Sequence, residues 1–187
     1  ENNLAAVICI EDPLREEAPE VIHKLKEAGI QKVAMMTGDS ERTAAAIAAC
    51  VGVDEYDSEV LPEEKAAFVE KEKARGKRVL MIGDGINDSP ALSAADVGIA
   101  ISDGAQLARQ IADVTISGQD LHQILFLKQL SDKLMKRIAG NYRFIVGFNS
   151  ALILLGVFGI LPPASGALLH NTSTLAIGLK SMGNLLP

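Results

Sequence analysis

The sequence has 187 residues, of which 48% are hydrophobic, 22% are charged and 4% are aromatic, and its formal net charge is −6. An acidic chain of this kind lacks the excess of Lys and Arg that nucleic-acid-binding domains present, so we expect no nucleic-acid partner. The charges are unevenly placed. No Asp, Glu, Lys or Arg occurs from Phe144 to Leu179, whereas charged residues recur throughout the part before it.

Residues 1–119 alternate apolar runs with amphipathic helical stretches. In chain order the pattern predicts strand Leu4–Ile10, helix Glu17–Ala28, strand Lys32–Met36, helix Glu41–Val51, a short strand near Tyr56, helix Pro62–Arg75, strand Arg78–Ile82, a helix from Pro90, strand Val97–Ile101, a helix from Gln106 and strand Val114–Ile116. This alternation is typical of an α/β fold, in which helices cover a parallel sheet. Functional residues of such sheets collect in the loops at the carboxyl ends of the strands.

The C-terminal part is predicted to enter a membrane. Residues 120–141 are expected to form a connecting cytoplasmic helix, and residues 142–187 two transmembrane helices at about 142–161 and 166–183. One crossing takes roughly 20 residues, and the segment Leu161-Pro-Pro-Ala-Ser-Gly166 would end a helix. Lysines and arginines flank the two spans at their outer ends, which places the N-terminal region in the cytoplasm.

We therefore expect an integral, multi-pass membrane protein in contact with lipid. The alternative is a buried helical hairpin of a soluble protein. No signal peptide is evident and the chain starts at Glu1 rather than Met, so we expect further sequence before it.

The loop after Met36 contains Thr37-Gly-Asp-Ser40 and opens the next predicted helix. Backbone N–H groups at a helix N-terminus, together with a threonine hydroxyl, form an anion site of the size of a phosphate. The alternative is that Asp39 or Ser40 only caps the helix.

The loop after Ile82 carries two carboxylates, Asp84 and Asp88, on either side of Gly85-Ile-Asn87. Two carboxylates at one strand end repel each other unless a cation lies between them. Mg²⁺ suits such a place, because it takes one or two protein carboxylates and completes its shell with water and phosphate oxygens. Asp88 could instead be a helix cap before Pro90, although that alternative leaves Asp84 unexplained.

Lys65 lies in the first turn of the helix predicted from Pro62, where a cation opposes the helix dipole. A phosphate oxygen beside the ammonium group would explain this placement. The simpler alternative is that Lys65 is an exposed surface lysine without a role at a site.

Four motifs follow one another along the chain. They are Thr37-Gly-Asp39, Pro62-Glu-Glu-Lys65, Gly83-Asp-Gly-Ile-Asn-Asp-Ser-Pro-Ala-Leu92 and Ala95-Asp-Val-Gly-Ile-Ala100. In this order they closely resemble the phosphorylation domain of P-type ATPases, which belong to the haloacid-dehalogenase superfamily. A membrane helix pair follows that domain in the family, so the resemblance extends over the whole chain. It implies a parallel, Rossmann-like sheet of the haloacid-dehalogenase type, followed by a two-helix transmembrane hairpin.

The resemblance implies roles for the motif residues in phosphoryl transfer from ATP. Thr37 and Gly38 would hold the phosphoryl group, and Asp39 would support the loop and the nucleotide. Lys65 would neutralise phosphate charge, and Asn87 would hydrogen-bond the phosphoryl group. The reaction would pass through an aspartyl-phosphate, with catalysis by positioning and charge neutralisation.

The resemblance also implies a Mg²⁺ site and a missing nucleophile. Asp84 would bind Mg²⁺, and Asp88 would complete or support the metal site. The family carries its nucleophile in Asp-Lys-Thr-Gly-Thr, upstream of a nucleotide-binding domain, and this run does not occur here; Asp12 follows an apolar run but is succeeded by Pro-Leu-Arg. We therefore expect a C-terminal part of a longer pump, whose remainder supplies the nucleotide-binding and actuator domains and the other membrane helices, and no phosphorylation by ATP in this chain alone.

The last apolar segment contains polar residues that are costly in a membrane unless they are satisfied or functional. His170, Ser173 and Thr174 share one helix face, and Asn149 offers an oxygen from the preceding helix. The segment is similar to the last helix of the heavy-metal P-type ATPases, whose residues there select a metal. Imidazole suits divalent transition metals, and no Met or Cys lies on this face, so we favour a Zn-, Cd- or Co-like cation over Cu(I). Alternatively, the Ser and Thr hydroxyls bond to their own helix or join the two helices.

Two further functions remain as alternatives. A soluble phosphatase of the same superfamily would need Asp-x-Asp after its first strand and would have no use for residues 144–183. A non-catalytic, membrane-anchored module that binds Mg²⁺ or phosphate is the function that this chain alone would have.

Overall fold

The computed structural model describes residues 14–84, 87–101, 110–118 and 120–185. The chain divides into two compact units, the first extending to Leu125 and the second beginning at Phe126. The helices are α1 (Ala18–Glu27), α2 (Glu41–Val51), α3 (Pro62–Ala74), α4 (Ser89–Ala94), α5 (His122–Val157) and α6 (Pro163–Ser181). The strands are β1 (Ala34–Met36), β2 (Glu55–Asp57), β3 (Leu80–Gly83), β4 (Val97–Ile101) and β5 (Val114–Ile116).

The strand pairings described are all parallel, as the alternating pattern predicts. β1 pairs with β2, and β3, β4 and β5 form a three-stranded sheet in that order. In the second sheet Met81 lies opposite Gly98, and Ala100 lies opposite Thr115. The α/β fold expected from the sequence is therefore confirmed.

The core of the first unit packs α3 and α4 against β3. Val69, Met81, Ala91 and Leu92 form one buried cluster, and Leu92 and Val69 are less than 2% exposed. Complete burial of a side chain of this size contributes about 1.5–3 kcal/mol. Met36, at the end of β1, packs against the same cluster, so β1 and β3 share one core.

The predicted helices and strands agree with the structure to within a few residues where the chain is described. The bounds of α2, β4 and β5 coincide with the prediction, whereas β1 begins two residues later than expected and β3 extends to Gly83. The predicted strand Leu4–Ile10, Asp12 and the helix start at Gln106 lie outside the described residues.

One continuous helix, α5, takes the place of the predicted connecting helix and first membrane span. The region around residue 141 contains no proline, and a single glycine costs a helix only about 1 kcal/mol, so nothing there breaks it. α5 ends before the two prolines, because Gly159 has φ +73° and the N–H groups of Ile160 and Leu161 both bond to the carbonyl of Leu155. This left-handed glycine end is a common helix terminator.

By length and composition, α5 is the one helix of the described residues that is long and apolar enough to cross a membrane. α6 has 19 residues, but the run His170-Asn-Thr-Ser-Thr174 dilutes its apolar character. The second span expected from the sequence is therefore present as helix α6, but α6 is not apolar enough to meet the criterion for crossing a membrane that α5 meets.

Candidate functional site

The Thr37-Gly-Asp39 loop leaves the carboxyl end of β1 and is organised around the threonine side chain. The Thr37 hydroxyl donates to Asp39 Oδ2 over 2.8 Å and accepts the Asp39 backbone N–H over 3.1 Å. Ser40 is the N-cap residue of α2, but its side chain makes no capping hydrogen bond and lies 3.1 Å from the Thr43 hydroxyl. The capping alternative therefore does not describe how these side chains bond.

Three backbone hydrogen bonds attach this loop to the end of β2 and the segment after it. The Thr37 N–H donates to Asp57 O, the Val60 N–H donates to Thr37 O, and the Glu59 N–H donates to Asp39 O, over 2.9–3.0 Å. Glu59 has φ +54°, which is uncommon for a residue with a side chain. The segment is thus bent to follow the loop and hold it.

Glu41, at the start of α2, ties the same two segments together through its side chain. Tyr56 donates to one of its carboxylate oxygens over 2.8 Å and Ser58 to the other over 2.6 Å. The hydrogen bonds from Ser58 and Tyr56 hold the pKa of Glu41 below its ordinary value. Sequence reasoning missed this residue, because no local pattern signals a bond between side chains 15 and 17 positions apart.

Lys65 lies at the start of α3, which follows directly on the segment bonded to this loop. The chain passes from Val60 into Leu61, whose N–H donates to Glu64 Oε2 over 2.8 Å, and Pro62 begins the helix. Lys65 follows in the first turn, as predicted, but it is not an exposed surface lysine. Its side chain is only 14% exposed and its Nζ lies 2.7 Å from Asp88 Oδ1.

Asp88 is a buried partner of this lysine and does not cap α4 with its side chain. Its side chain is 12% exposed, and as the N-cap residue it makes no side-chain capping bond. The carboxylate lies directly over the α-carbon of Gly83, where a Cβ would be 2.4 Å from Asp88 Oδ2. Glycine at the end of β3 is thus required by the position of Asp88.

Asp84 follows Gly83 and Asn87 precedes Asp88 in the sequence, and both are exposed. Among the described residues, no group of three or more His, Cys, Asp or Glu side chains comes together as a metal cluster. The strand end therefore offers up to two carboxylates, Asp84 and Asp88, and Asp88 bonds to Lys65. Such a donor set fits Mg²⁺, which keeps several water ligands.

The polar residues of the second unit form a separate group on α5 and α6. His170 Nδ1 lies 2.9 Å from Asn149 Oδ1, so these two helices are joined at this level. The hydroxyls of Ser173 and Thr174 donate to the backbone carbonyl of His170 over 2.8 and 3.0 Å. The alternative in which these hydroxyls bond to their own helix therefore describes the structure, and each oxygen keeps lone pairs for a further contact.

A family model described as haloacid dehalogenase-like hydrolase matches residues 1–96. The chain belongs to this family. The parallel α/β fold and the side chains at its strand ends agree with that membership, and the family predicted from the motifs is confirmed.

The relatives that match nearly the whole chain are named as heavy-metal pumps. A zinc-exporting P-type ATPase of Mycobacterium marinum is 39% identical over 97% of this chain. A copper-exporting P-type ATPase of Staphylococcus aureus is 41% identical over 96% of it, and manganese-exporting relatives of Mycobacterium show similar identity. The chain spans about a quarter of the length of these relatives, 25% and 23% of the first two.

The solved structures agree with the sequence relatives. The crystal structure of a zinc-transporting PIB-type ATPase in the E2.Pi state superposes with a TM-score of 0.82 at 30% identity, over 89% of this chain and 27% of that chain. The resemblance to P-type ATPases thus holds in sequence and in fold.

Proposed function

We propose that this chain is the phosphoryl- and Mg²⁺-binding part of a heavy-metal P-type ATPase, together with one of its membrane helix pairs. The observation that carries the proposal is the Lys65–Asp88 pair, largely buried against Gly83 at the carboxyl end of β3, where Asp84 follows in the sequence. A phosphoryl site needs a fixed cation and a carboxylate at one place. Burying the charges of Lys65 and Asp88 would be costly if the two groups were not paired with each other. The similarity to metal-exporting ATPases over 97% of the chain supports the same function.

In this function the Thr37 loop would hold the phosphoryl group. The backbone N–H of Gly38 and the N-terminus of α2 offer donors to phosphate oxygens. The Thr37 hydroxyl has a single O–H, which it donates to Asp39 over 2.8 Å, and it would turn this O–H toward the phosphoryl group when that group binds. Asp39 supports the loop by donating its N–H to the same hydroxyl oxygen over 3.1 Å. Lys65 would neutralise phosphate charge, and Asn87, exposed at the next loop, would add a hydrogen bond.

Asp84 would bind Mg²⁺ directly, and Asp88 would support the site by orienting Lys65. Bound Mg²⁺ would neutralise charge on the phosphoryl oxygens of ATP and of the phosphorylated aspartate. The nucleophilic aspartate itself would come from sequence outside this chain. Reading the coding DNA upstream of Glu1 checks this point: an Asp-Lys-Thr-Gly-Thr run supports the proposal, and a stop codon followed by a start site next to Glu1 contradicts it.

The transported cation would bind in the second unit, at His170. If Nδ1 carries its proton toward Asn149, then Nε2 keeps the lone pair that a metal needs. Asn149, Ser173 and Thr174 would add oxygen ligands. Imidazole with hard oxygens favours a divalent transition metal such as Zn²⁺, Cd²⁺ or Co²⁺ over Cu(I), which prefers thiolate and thioether ligands.

The proposal is tested by phosphorylating the complete pump from inorganic phosphate in the presence of Mg²⁺. Asp84→Asn removes a metal-binding charge at the site and should abolish phosphoenzyme formation. Glu70→Gln, which removes one charge from an exposed position on α3, is the matched control and should leave labelling unchanged. Undiminished labelling in Asp84→Asn contradicts the assigned role.

A further inference from the structure

A cavity of about 210 Å³ lies between α5 and α6 in the second unit. The residues that line it change from polar and charged to apolar along the helices. Gly140, Asn141 and Lys180 form one end, Phe144 lies next to them with Ile177 opposite, and Ser173 lies at the far end. A charged end followed by an apolar wall matches an amphiphile better than it matches a small ion.

Lys180 is the charged residue among those that line the cavity, and no acid lines it. From Lys133 to Pro187 the sequence contains no Asp or Glu. The cations of this stretch are Lys133, Lys136, Arg137, Arg143 and Lys180. A metal cation would be repelled from this end of the cavity, whereas an anionic group would be attracted.

Arg137 does not take part as a free cation, because it holds the two helices together. Its guanidinium donates to the carbonyls of Ser181, Gly183 and Asn184 at the end of α6, and Asn141 donates to the Ser181 hydroxyl over 2.8 Å. A cation at a helix C-terminus is favourable because of the helix dipole. The charged end of the cavity is thus built by a fixed junction, with Lys180 in the last turn of α6 as the cation that lines it.

The space in front of Gly140 is open. A Cβ added at Gly140 would meet no atom within 4 Å, so no contact inside the chain requires glycine there. The absence of a side chain leaves room beside Lys180 for an incoming group.

We propose that this cavity binds an anionic phospholipid, with its phosphate at Lys180 and Asn141 and its glycerol and acyl carbons along Phe144 and Ile177. The inference rests on the membrane placement proposed above, in which the basic end faces the cytoplasm. Basic pockets between membrane helices on this side suit anionic headgroups, and each Lys or Arg near the surface contributes to such binding.

The test counts the lipids that the complete pump retains, by native mass spectrometry, after reconstitution in mixed phosphatidylglycerol and phosphatidylcholine. Lys180→Gln should lower the retained ratio of phosphatidylglycerol to phosphatidylcholine about fivefold. Gly140→Leu keeps every charge but fills the cavity, and it should lower the ratio similarly; leucine is a good helix former, so the helix should persist. Lys133→Gln, two helical turns before Gly140 on α5, is the matched control and should leave the ratio within about twofold of that of the unmodified pump.

Three results would overturn the proposal. Gly140→Leu could retain lipid as the unmodified pump does. Alternatively, Lys133→Gln could lower the ratio of phosphatidylglycerol to phosphatidylcholine as much as Lys180→Gln does, which would indicate that general surface charge retains the lipid. Added millimolar inorganic phosphate separates the two sources of the phosphate group: if it displaces the retained phosphatidylglycerol, the cavity takes free phosphate and the lipid proposal is wrong. Phosphoenzyme formation in the same variants should stay intact, so a failure of the proposed pump function is seen separately.

Discussion

At the residue scale, the position of Asp88 decides the geometry of the candidate site. Its carboxylate lies between the Lys65 ammonium group on one side and the Gly83 α-carbon on the other. One oxygen is therefore held by charge and the other by close packing. This double restraint explains why a carboxylate, a lysine and a glycine occur at these separate points of the sequence.

Gly83→Ala should displace Asp88 and disable the site. The added methyl group would lie 2.4 Å from Asp88 Oδ2, and overpacking of this kind costs about 1–3 kcal/mol. We expect a lower unfolding temperature and loss of phosphoenzyme formation in the complete pump. Gly178→Ala, whose Cβ would meet no atom within 4 Å, is the control and should leave both properties unchanged. A fully active Gly83→Ala variant would show that Asp88 is not needed in this position.

The Lys65–Asp88 pair should also couple more strongly than a surface pair. Removing one partner leaves the other charge largely buried, so a double-mutant cycle of Lys65→Met and Asp88→Leu, measured by chemical unfolding, should give at least about 1.5 kcal/mol. Glu20 and Lys24 form an exposed pair on α1 and provide the comparison, with an expected coupling below about 0.5 kcal/mol. Equal couplings in the two cycles would contradict the burial argument.

At the scale of helices and strands, periodicity predicts most of the first unit. Ala44, Ala48 and Val51 are the buried face of α2, and their spacing of four and three residues is visible in the sequence. The short apolar run of β4 is buried on both faces and is equally visible. Helix ends were less predictable: Gly159 stops α5 through its left-handed backbone, whereas the two prolines after it are the stronger signal in the sequence.

The sequence proposes the residues of the candidate site but not the bonds that they make. Motif order singles out Thr37, Lys65 and Asp88, whose functional roles stay predictions, and each residue alone could be interpreted as a cap or a surface residue. Their partners depend on which loops meet at the end of the sheet, and Glu41 joins two such loops without any local signal. Long-range contacts of this kind follow from the fold and not from the local pattern.

The stability of α3 should depend on pH through Glu72. This buried carboxylate bonds to Lys77 and, over 2.5 Å, to Arg75, and the bond from Lys77 is the main cause that holds the pKa of Glu72 below its ordinary value. A carboxyl group whose pKa is lowered in the folded state stabilises the fold above its unfolded pKa of about 4.3. This contribution is lost as the pH falls through the lowered pKa, so acid should destabilise α3.

Hydrogen exchange of the α3 amides measures this effect. Protection should be constant between neutral pH and about pH 5 and should fall below about pH 4. Glu72→Gln should reduce protection at neutral pH and remove most of the acid dependence. An unchanged acid profile in that variant would assign the loss of protection to other carboxylates. One of these is Asp96, whose pKa is lowered mainly by the hydrogen bond from the Val79 N–H.

At the scale of the whole molecule, the two units carry different chemistry. The first unit has the carboxylates, hydroxyls and lysine that suit a phosphoryl group, and the second has an imidazole, an amide and hydroxyls between apolar helices. A pump requires both kinds of site in one chain, because phosphorylation must be coupled to a cation within the membrane. We propose that this chain belongs to such a pump for a divalent transition metal.

The most direct test compares two activities of the complete pump after His170→Ala. One is ATP turnover stimulated by Zn²⁺, Co²⁺, Cd²⁺ or Cu(I), and the other is phosphorylation by inorganic phosphate, which needs no transported metal. We expect a divalent metal to stimulate the unmodified pump more than Cu(I) does, and His170→Ala to lose that stimulation while phosphorylation by inorganic phosphate remains. Absence of stimulation by every metal in the unmodified pump, or equal loss of both activities in His170→Ala, would contradict the account.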